Sequence, residues 1–161
     1  MGAKQIFQTA LTDVYYSPKS WKEQPGTIRQ ENNAIYKYVA FSGTTAVAAG
    51  DVVCYVAYAS DGAAQVVDGA NTALGAGVAM AAVASGTMTA GAIAYATGWI
   101  QIKGKATLST SLQGTTPVFG STLSTSGAAA PGLLLTSAAT AMVVGYCYDS
   151  ASKNILADFP Y

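Results

Sequence analysis

From residue 34 onward the chain consists of short apolar segments separated by turn residues, and this rhythm constrains the fold more than any other feature. Residues 34–41, AIYKYVAF, alternate in polarity and are rich in β-branched and aromatic side chains. Gly, Ser, Asn or Pro turns recur at intervals of about eight to twelve residues. No amphipathic helix longer than two turns stands out. The pattern predicts an all-β fold, a single antiparallel β-barrel or β-sandwich domain.

The segments that fit a strand can be placed individually. They are residues 34–41, 52–59, 63–68, 77–84, 92–96, 99–108, 116–120, 132–136, 141–148 and 154–161. In the sixth of these, alternation puts Ile100 and Ile102 on one side and Trp99, Gln101 and Lys103 on the other.

The composition changes near residue 33. Residues 1–33 carry nearly half of the charged side chains, and Pro18 and Pro25 rule out a long helix. The segment also holds aromatic side chains that disordered tails usually lack. These candidate partner-binding residues are Phe7, Tyr15, Tyr16 and Trp21. We therefore predict an extended N-terminal arm over 1–33 and an all-β domain over 34–161, with the arm lying on neighbouring subunits or on the domain itself.

Charge is scarce throughout the domain. Charged residues make up 10% of the sequence and the net charge is zero, so the cationic surface that binds nucleic acid is missing. Lys103 and Lys105 are the only charged residues between Asp68 and Asp149. Either Ser, Thr, Asn and Gln keep such a surface soluble, or other subunits cover it. The uncharged stretch 69–98 is too rich in Gly and Ala to predict a membrane span.

The sequence argues against catalysis. It contains no histidine, which excludes Ser-His and Cys-His nucleophile arrangements and His-ligated zinc. Cys54 and Cys147 are either buried core residues or one disulfide bridge. The aspartates that could form a carboxylate pair are Asp13, Asp51, Asp61, Asp68, Asp149 and Asp158, and several stand at turn positions. We predict no enzyme activity, no cofactor and no metal.

Two binding features have competing explanations. Lys103 and Lys105 either deter edge-to-edge strand pairing or contact an acidic patch on a partner. Aromatic residues in strands either pack internally or form a glycan-binding platform on a phage fibre or cell surface. The platform would consist of Tyr36, Tyr38, Tyr55, Tyr58 and Trp99.

Short motifs in residues 36–152 resemble those of a known group of proteins. They are an opening Tyr36-x-Tyr38-Val39, an Ala49-Gly50-Asp51-Val52 turn, a GVA strand, WIQIKG at 99–104 and a VVG strand at 143–145. In these features the chain resembles the head-decoration, or capsid cement, proteins of tailed bacteriophages. The stretch 77–99 is more drawn out here than in that group.

The resemblance implies a structural virion protein on the exterior of the capsid. Its partners would be the major capsid protein and further copies of itself, as a homotrimer in preference to a dimer, with no nucleic acid and no membrane. Extended termini would latch onto neighbours, and many copies would turn modest contacts into high avidity.

Overall fold

A computed structural model describes residues 7–16, 22–42, 46–55, 66–68, 74–85, 96–112, 117–125, 133–135 and 142–160. Within these ranges the chain forms ten strands. They are β1 (Ile28–Glu31), β2 (Ala34–Phe41), β3 (Val52–Tyr55), β4 (Val66–Asp68), β5 (Gly75–Ala79), β6 (Ala96–Thr107), β7 (Thr122–Thr125), β8 (Leu133–Leu135), β9 (Val143–Asp149) and β10 (Asn154–Asp158). The described residues include no helix, and so none that could cross a bilayer. The predicted all-β class is confirmed.

All ten strands join one sheet in the order β1-β2-β4-β3-β5-β6-β10-β9-β7-β8. Neighbouring strands are antiparallel except β2 and β4, which run parallel. The sheet does not close into one barrel, because β1 and β8 stand at its two ends. It bends back on itself, however, since β2 also pairs with β6 along residues 35–41. The strands β2, β4, β3, β5 and β6 therefore pair around a ring, while the ten-stranded sheet as a whole stays open.

The pair β2–β6 is buried on both faces. On one face Val39, Ile100 and Ile102 belong to the main hydrophobic core. On the other face Tyr38 and Trp99 form a second, smaller cluster. The predicted alternation of Trp99 against Ile100 and Ile102 is therefore correct. Both sides of these strands are apolar because a layer of protein covers each of them.

The hairpin β1–β2 includes part of the region that composition assigned to the arm. Residues Ile28–Glu31 pair antiparallel with 34–37, and the two-residue loop is Asn32-Asn33. Both asparagines have positive φ, 50° and 62°, as a type I′ turn requires. The composition boundary at residue 33 thus falls in a hairpin turn, and residues 28–31 are part of the sheet.

Several strand assignments differ from the sequence pattern. Strand β5 ends at Ala79, so residues 80–84 of the predicted strand 77–84 are not part of it. Residues 117–120 of the predicted strand 116–120 are not a strand. After the buried Pro117, residues 118–121 form a turn closed by a 3.0 Å hydrogen bond from the Ser121 amide to the Val118 carbonyl, and Gly120 within it has a φ of +82°. Strand β7, with the sequence TLST, has no apolar alternation to indicate it and exists because it pairs with β9. Part of the predicted strand 52–59 and most of the predicted strand 92–96 lie outside the described residues.

Candidate interaction surfaces

The described N-terminal segment, residues 7–16, lies on the β2–β6 pair of its own chain. Phe7 and Leu11 pack against the cluster around Trp99. The Phe7 and Trp99 rings meet edge to face, with centroids 5.6 Å apart. The buried indole N–H of Trp99 donates a hydrogen bond to Thr9 Oγ1 at 2.8 Å. This partner matters because a buried donor without an acceptor costs about 1–3 kcal/mol.

Backbone pairing fixes the end of the same segment. Tyr15 and Thr97 exchange two backbone hydrogen bonds of 3.0 and 2.9 Å, so the segment adds a short bridge to the beginning of β6. The Tyr15 hydroxyl donates to Asp13 Oδ2 at 3.1 Å. Desolvation is the larger cause that raises the pKa of the Tyr15 phenol, and the Asp13 carboxylate raises it further. Gly98 leaves room for the close approach, because a Cβ there would lie 3.3 Å from the carbonyl oxygen of Asp13.

Arg29 of β1 holds the segment from the other side. Its guanidinium donates to the Thr9 carbonyl at 2.9 Å and lies 5.0 Å from the centroid of the Phe7 ring. Glu23 adds a further contact, since its Oε1 accepts a hydrogen bond from the Gln8 amide at 2.6 Å. The segment is therefore bound to its own domain by apolar, cation–π and hydrogen-bond contacts together.

The five predicted partner-binding residues that the structure describes do not form one surface. Phe7 and Tyr15 are half-buried against the β2–β6 pair, whereas Tyr16 is 47% exposed. Trp21 lies outside the described residues. Near the opposite end of β6, Lys103 forms an ion pair of 3.1 Å with Asp158. Lys105 is exposed, with its ammonium 4.8 Å from the centroid of the Tyr148 ring.

The structure reveals an exposed apolar surface that the sequence did not indicate. It consists of Val118, Phe119, Tyr146, Tyr148 and Leu156, which we call the β9 face. Phe119 is 78% exposed and Val118 is 65% exposed, while the other three are 40–47% exposed. The Phe119 and Tyr148 rings lie 6.0 Å apart, edge to face.

Cross-strand pairing gives this surface a rigid base. Leu156 of β10 is paired with Lys105 of β6 on one side and with Tyr146 of β9 on the other. Tyr146 in turn pairs with Thr122 of β7. The row Lys105–Leu156–Tyr146–Thr122 therefore crosses four hydrogen-bonded strands, so its side chains are held by the sheet and not by a loop.

A shift in register explains why sequence reasoning missed the β9 face. Strict alternation would put Val144, Tyr146 and Tyr148 on one side of β9. In the structure Val144 and Cys147 are both buried, whereas Tyr146 and Tyr148 are exposed. The pairing of β9 with β7 shifts by one residue at this point, which reverses the alternation. The exposure of residues 118 and 119 was missed for a different reason: the sequence pattern predicts a strand at these positions, whereas the structure has a turn.

A shallow groove lies beside the β9 face. Its volume is about 430 Å³, and it runs between the turn at residues 49–50 and the outer side of β6. Ala49, Val78, Met80 and Leu108 supply apolar walls, and Lys105 stands at one side. Lys105 thus separates the groove from the exposed rings of Tyr148 and Phe119.

The described rings of the proposed glycan platform do not lie together on an exposed surface. Tyr38 and Trp99 are fully buried and Tyr36 is 8% exposed. Tyr55 is half-buried and its hydroxyl accepts a hydrogen bond of 2.9 Å from Lys37 Nζ. Tyr58 lies outside the described residues. Packing against one another and against the N-terminal segment accounts for Tyr36, Tyr38 and Trp99.

The carboxylates of Asp51 and Asp149 serve local structure. Asp51 Oδ2 accepts a hydrogen bond from the Ala48 amide at 2.7 Å, and its Oδ1 accepts one from the Ser109 hydroxyl. Asp149 accepts hydrogen bonds from the backbone amides of residues 151 and 152. The Ser152 side chain is the largest cause that holds the pKa of the Asp149 carboxyl below its usual range, and the backbone bonds add to the effect. Among the described residues no three His, Cys, Asp or Glu side chains are grouped closely enough to hold a metal ion.

Comparison with known proteins yields no relative, because no family model, no curated protein and no solved structure matches the chain.

Proposed function

We propose that the protein is a structural component of a phage virion, which binds the outer surface of the capsid and stabilises it by bridging major capsid protein subunits. The observation that supports the proposal is that exposed apolar side chains lie near both ends of the twelve-residue strand β6. Tyr16 is exposed next to the Tyr15–Thr97 bridge, whereas the β9 face lies beside Lys105. A bridging protein needs at least two contact surfaces, one for the capsid and one for a neighbouring copy. In this role the chain catalyses no reaction and needs no cofactor.

The positions of the resemblance motifs support the same proposal. Tyr36-x-Tyr38-Val39 lies in β2 and Trp99-Ile-Gln-Ile in β6, and these strands pair so that Tyr38 lies opposite Trp99. The Ala49-Gly50-Asp51 turn is joined to the end of β6 through Ser109. These three motifs are therefore adjacent in space, as expected if they mark a shared fold.

We assign the contact with the capsid to the N-terminal region. Its described part is already folded onto the domain, so its exposed side chains are presented without an ordering cost at the moment of binding. Tyr16 is the exposed aromatic residue of that part and resembles the anchors that dominate protein interfaces.

Particles of the phage whose genome encodes the chain provide the test. Purified virions should contain the protein, and shells stripped of it should bind it again at saturation and resist heating better afterwards. A Tyr16→Ser variant should bind such shells less tightly, whereas Ile28→Ser, at an exposed apolar residue of β1, should bind normally. If virions lack the protein, or added protein leaves shell stability unchanged, the proposal is wrong.

Glycan binding is a second candidate, favoured by the exposed rings of Phe119, Tyr146 and Tyr148. Amphipathic rings of this kind can stack on the apolar faces of sugars. A glycan array with the Tyr148→Ser variant as control discriminates between the candidates, because only a glycan-binding module would give hits that this substitution abolishes.

A further inference from the structure

The β9 face is an apolar patch comparable in area to the largest patches on monomeric proteins. Its three rings alone expose on the order of 300 Å², taking about 200 Å² for each whole aromatic side chain. Val118 and Leu156 add to this area. The total falls in the range of about 300–600 Å² that the largest patch of a monomer reaches, and patches of that size are often functional.

We propose that the β9 face binds the same face of a second copy of this chain, in a two-fold symmetric dimer. This inference does not depend on the capsid proposal. A two-fold axis places each surface feature against its counterpart on the partner, so the face must be complementary to itself. Its charges, its shape and its area all meet that condition.

The charges around the face balance. Lys103 and Lys105 lie on the β6 side, Asp158 stands beside Lys103, and Asp149 at the end of β9 is close enough to Lys105 for the ammonium to lower the pKa of its carboxyl slightly. Two positive and two negative groups therefore surround an apolar centre. A strongly charged partner would not be electrostatically complementary to this neutral face. A second copy carries the same two positive and two negative groups, so its charges can pair with those of the first.

The shape of the face provides both a projection and a recess. Phe119 projects at one side, and the groove of about 430 Å³ lies on the other side of Lys105. Leu156 occupies the middle strand of the row, between Lys105 and Tyr146. A two-fold axis near Leu156 exchanges the two sides, so the Phe119 ring of each copy meets the groove of the other. Ala49 and Met80 are the accessible apolar residues of the groove and suit an aromatic ring, while Lys105 at the groove edge can contact the face of that ring.

The available area is sufficient for a stable pair. A standard interface buries about 800 Å² on each partner. The five exposed apolar side chains supply roughly half of that, and the groove and the polar rim of Thr107, Thr122 and Asn154 can supply the rest. Two flat sheet faces also pack against each other readily, at about 10 Å, as in β-sandwiches.

The test measures molecular mass against concentration by analytical ultracentrifugation of the full chain. The wild type should shift from monomer to dimer as concentration rises. Phe119→Ser and Tyr148→Ser should weaken dimerisation by about 10- to 100-fold, as expected for interface anchors. Tyr16→Ser is the matched control, since Tyr16 and Tyr148 are equally exposed at 47% and only Tyr148 belongs to the face.

A mixing experiment tests the reciprocal arrangement. Ala49→Phe should fill the groove and abolish self-association, because Ala49 is an exposed residue of the groove wall. A mixture of Ala49→Phe with Phe119→Ser should recover part of the dimer, since one intact ring can still enter one intact groove. Circular dichroism of each variant checks that it is folded.

Three results would overturn the inference. The wild type could stay monomeric at every accessible concentration. It could associate equally well with and without Phe119 and Tyr148, which would place the interface elsewhere. Finally, the face variants could lose binding to capsid shells or glycans while wild-type protein remains monomeric, which would assign the β9 face to that other partner.

Discussion

At the scale of single residues, the turn before β3 shows how the sequence encodes the shape of the sheet. Gly50 has a φ of +87°, and a Cβ at this position would lie 2.7 Å from the backbone nitrogen of Ser109. Asp51 then joins the turn to the same residue through the Ser109 hydroxyl. Gly50 is therefore required both for its backbone angle and for the close approach of two chain segments.

This turn permits a comparison with a second glycine. Gly50→Ala should destabilise the protein by about 2–4 kcal/mol, because it adds a backbone clash to the cost of a positive φ. Gly120→Ala is the matched control, since Gly120 has a φ of +82° but no atom within 4 Å of the position that an added methyl group would occupy. Its cost should be about 1–2 kcal/mol. Urea denaturation measures both, and equal losses would show that the approach to Ser109 does not matter.

At the scale of elements, β6 connects the regions of the molecule. Its first half is buried on both faces, whereas residues 103, 105 and 107 near its end are partly or fully exposed. The difference arises because the N-terminal segment covers only the beginning of the strand. Gly104, with a φ of +95°, marks the change, and a Cβ there would lie 2.9 Å from the carbonyl oxygen of Asn33 in the β1–β2 turn.

Removal of the N-terminal segment should therefore expose Trp99. In a Trp21→Phe background, deletion of residues 1–16 should shift the Trp99 fluorescence to the red and lower the free energy of unfolding, because the indole loses Phe7 and its acceptor Thr9. The far-ultraviolet circular dichroism should still report β-structure.

Deletion of residues 1–6 alone is the control for this experiment, since it removes none of the contacts made by residues 7–16. An unchanged emission maximum after the longer deletion would contradict the role assigned to the segment.

At the scale of the whole molecule, the sheet has two halves that meet at β6 and share one core. Cys54 lies in β3 in one half and Cys147 in β9 in the other, both buried, and they are not joined in a disulfide. Val53, Ile100 and Ile155 from both halves belong to the same hydrophobic cluster. A continuous core of this kind favours unfolding of the molecule as one cooperative unit.

Thiol reactivity tests that cooperativity. Burial is the larger cause that raises the pKa of the Cys147 thiol, and the nearby Asp149 carboxylate raises it further. The reactive thiolate therefore forms mainly when the protein opens. We expect Cys147 in a Cys54→Ala variant and Cys54 in a Cys147→Ala variant to react with a disulfide reagent at the same slow rate, once the rates are corrected for the different stabilities of the two variants. One fast thiol would show that its half opens independently.

The raised pKa also fixes the direction of the pH effect. The folded state favours the neutral thiol, so this group contributes its stability below the unfolded pKa of about 8.5 and loses it as pH rises towards the folded value. Stability should accordingly fall at alkaline pH, and less so in Cys147→Ala. Chemical denaturation across the alkaline range measures this difference.

Local sequence patterns were sufficient for the features that depend on neighbouring residues. Alternation placed Ile100 and Ile102 opposite Trp99, and turn residues set the limits of several strands, because side-chain direction and backbone preference are local properties. These patterns could not place β7, whose polar residues form a strand only by pairing with β9.

Which surfaces are covered, in contrast, depends on the packing of the whole chain. Phe7 and Tyr15 look like exposed anchors in the sequence, yet they contact the β2–β6 pair of their own chain. The register shift in β9 turns Tyr146 and Tyr148 outward, next to a turn that exposes Phe119. Burial depends on residues distant in the chain, and one shifted residue in a strand exchanges its inner and outer faces, so no local pattern could reveal the β9 face.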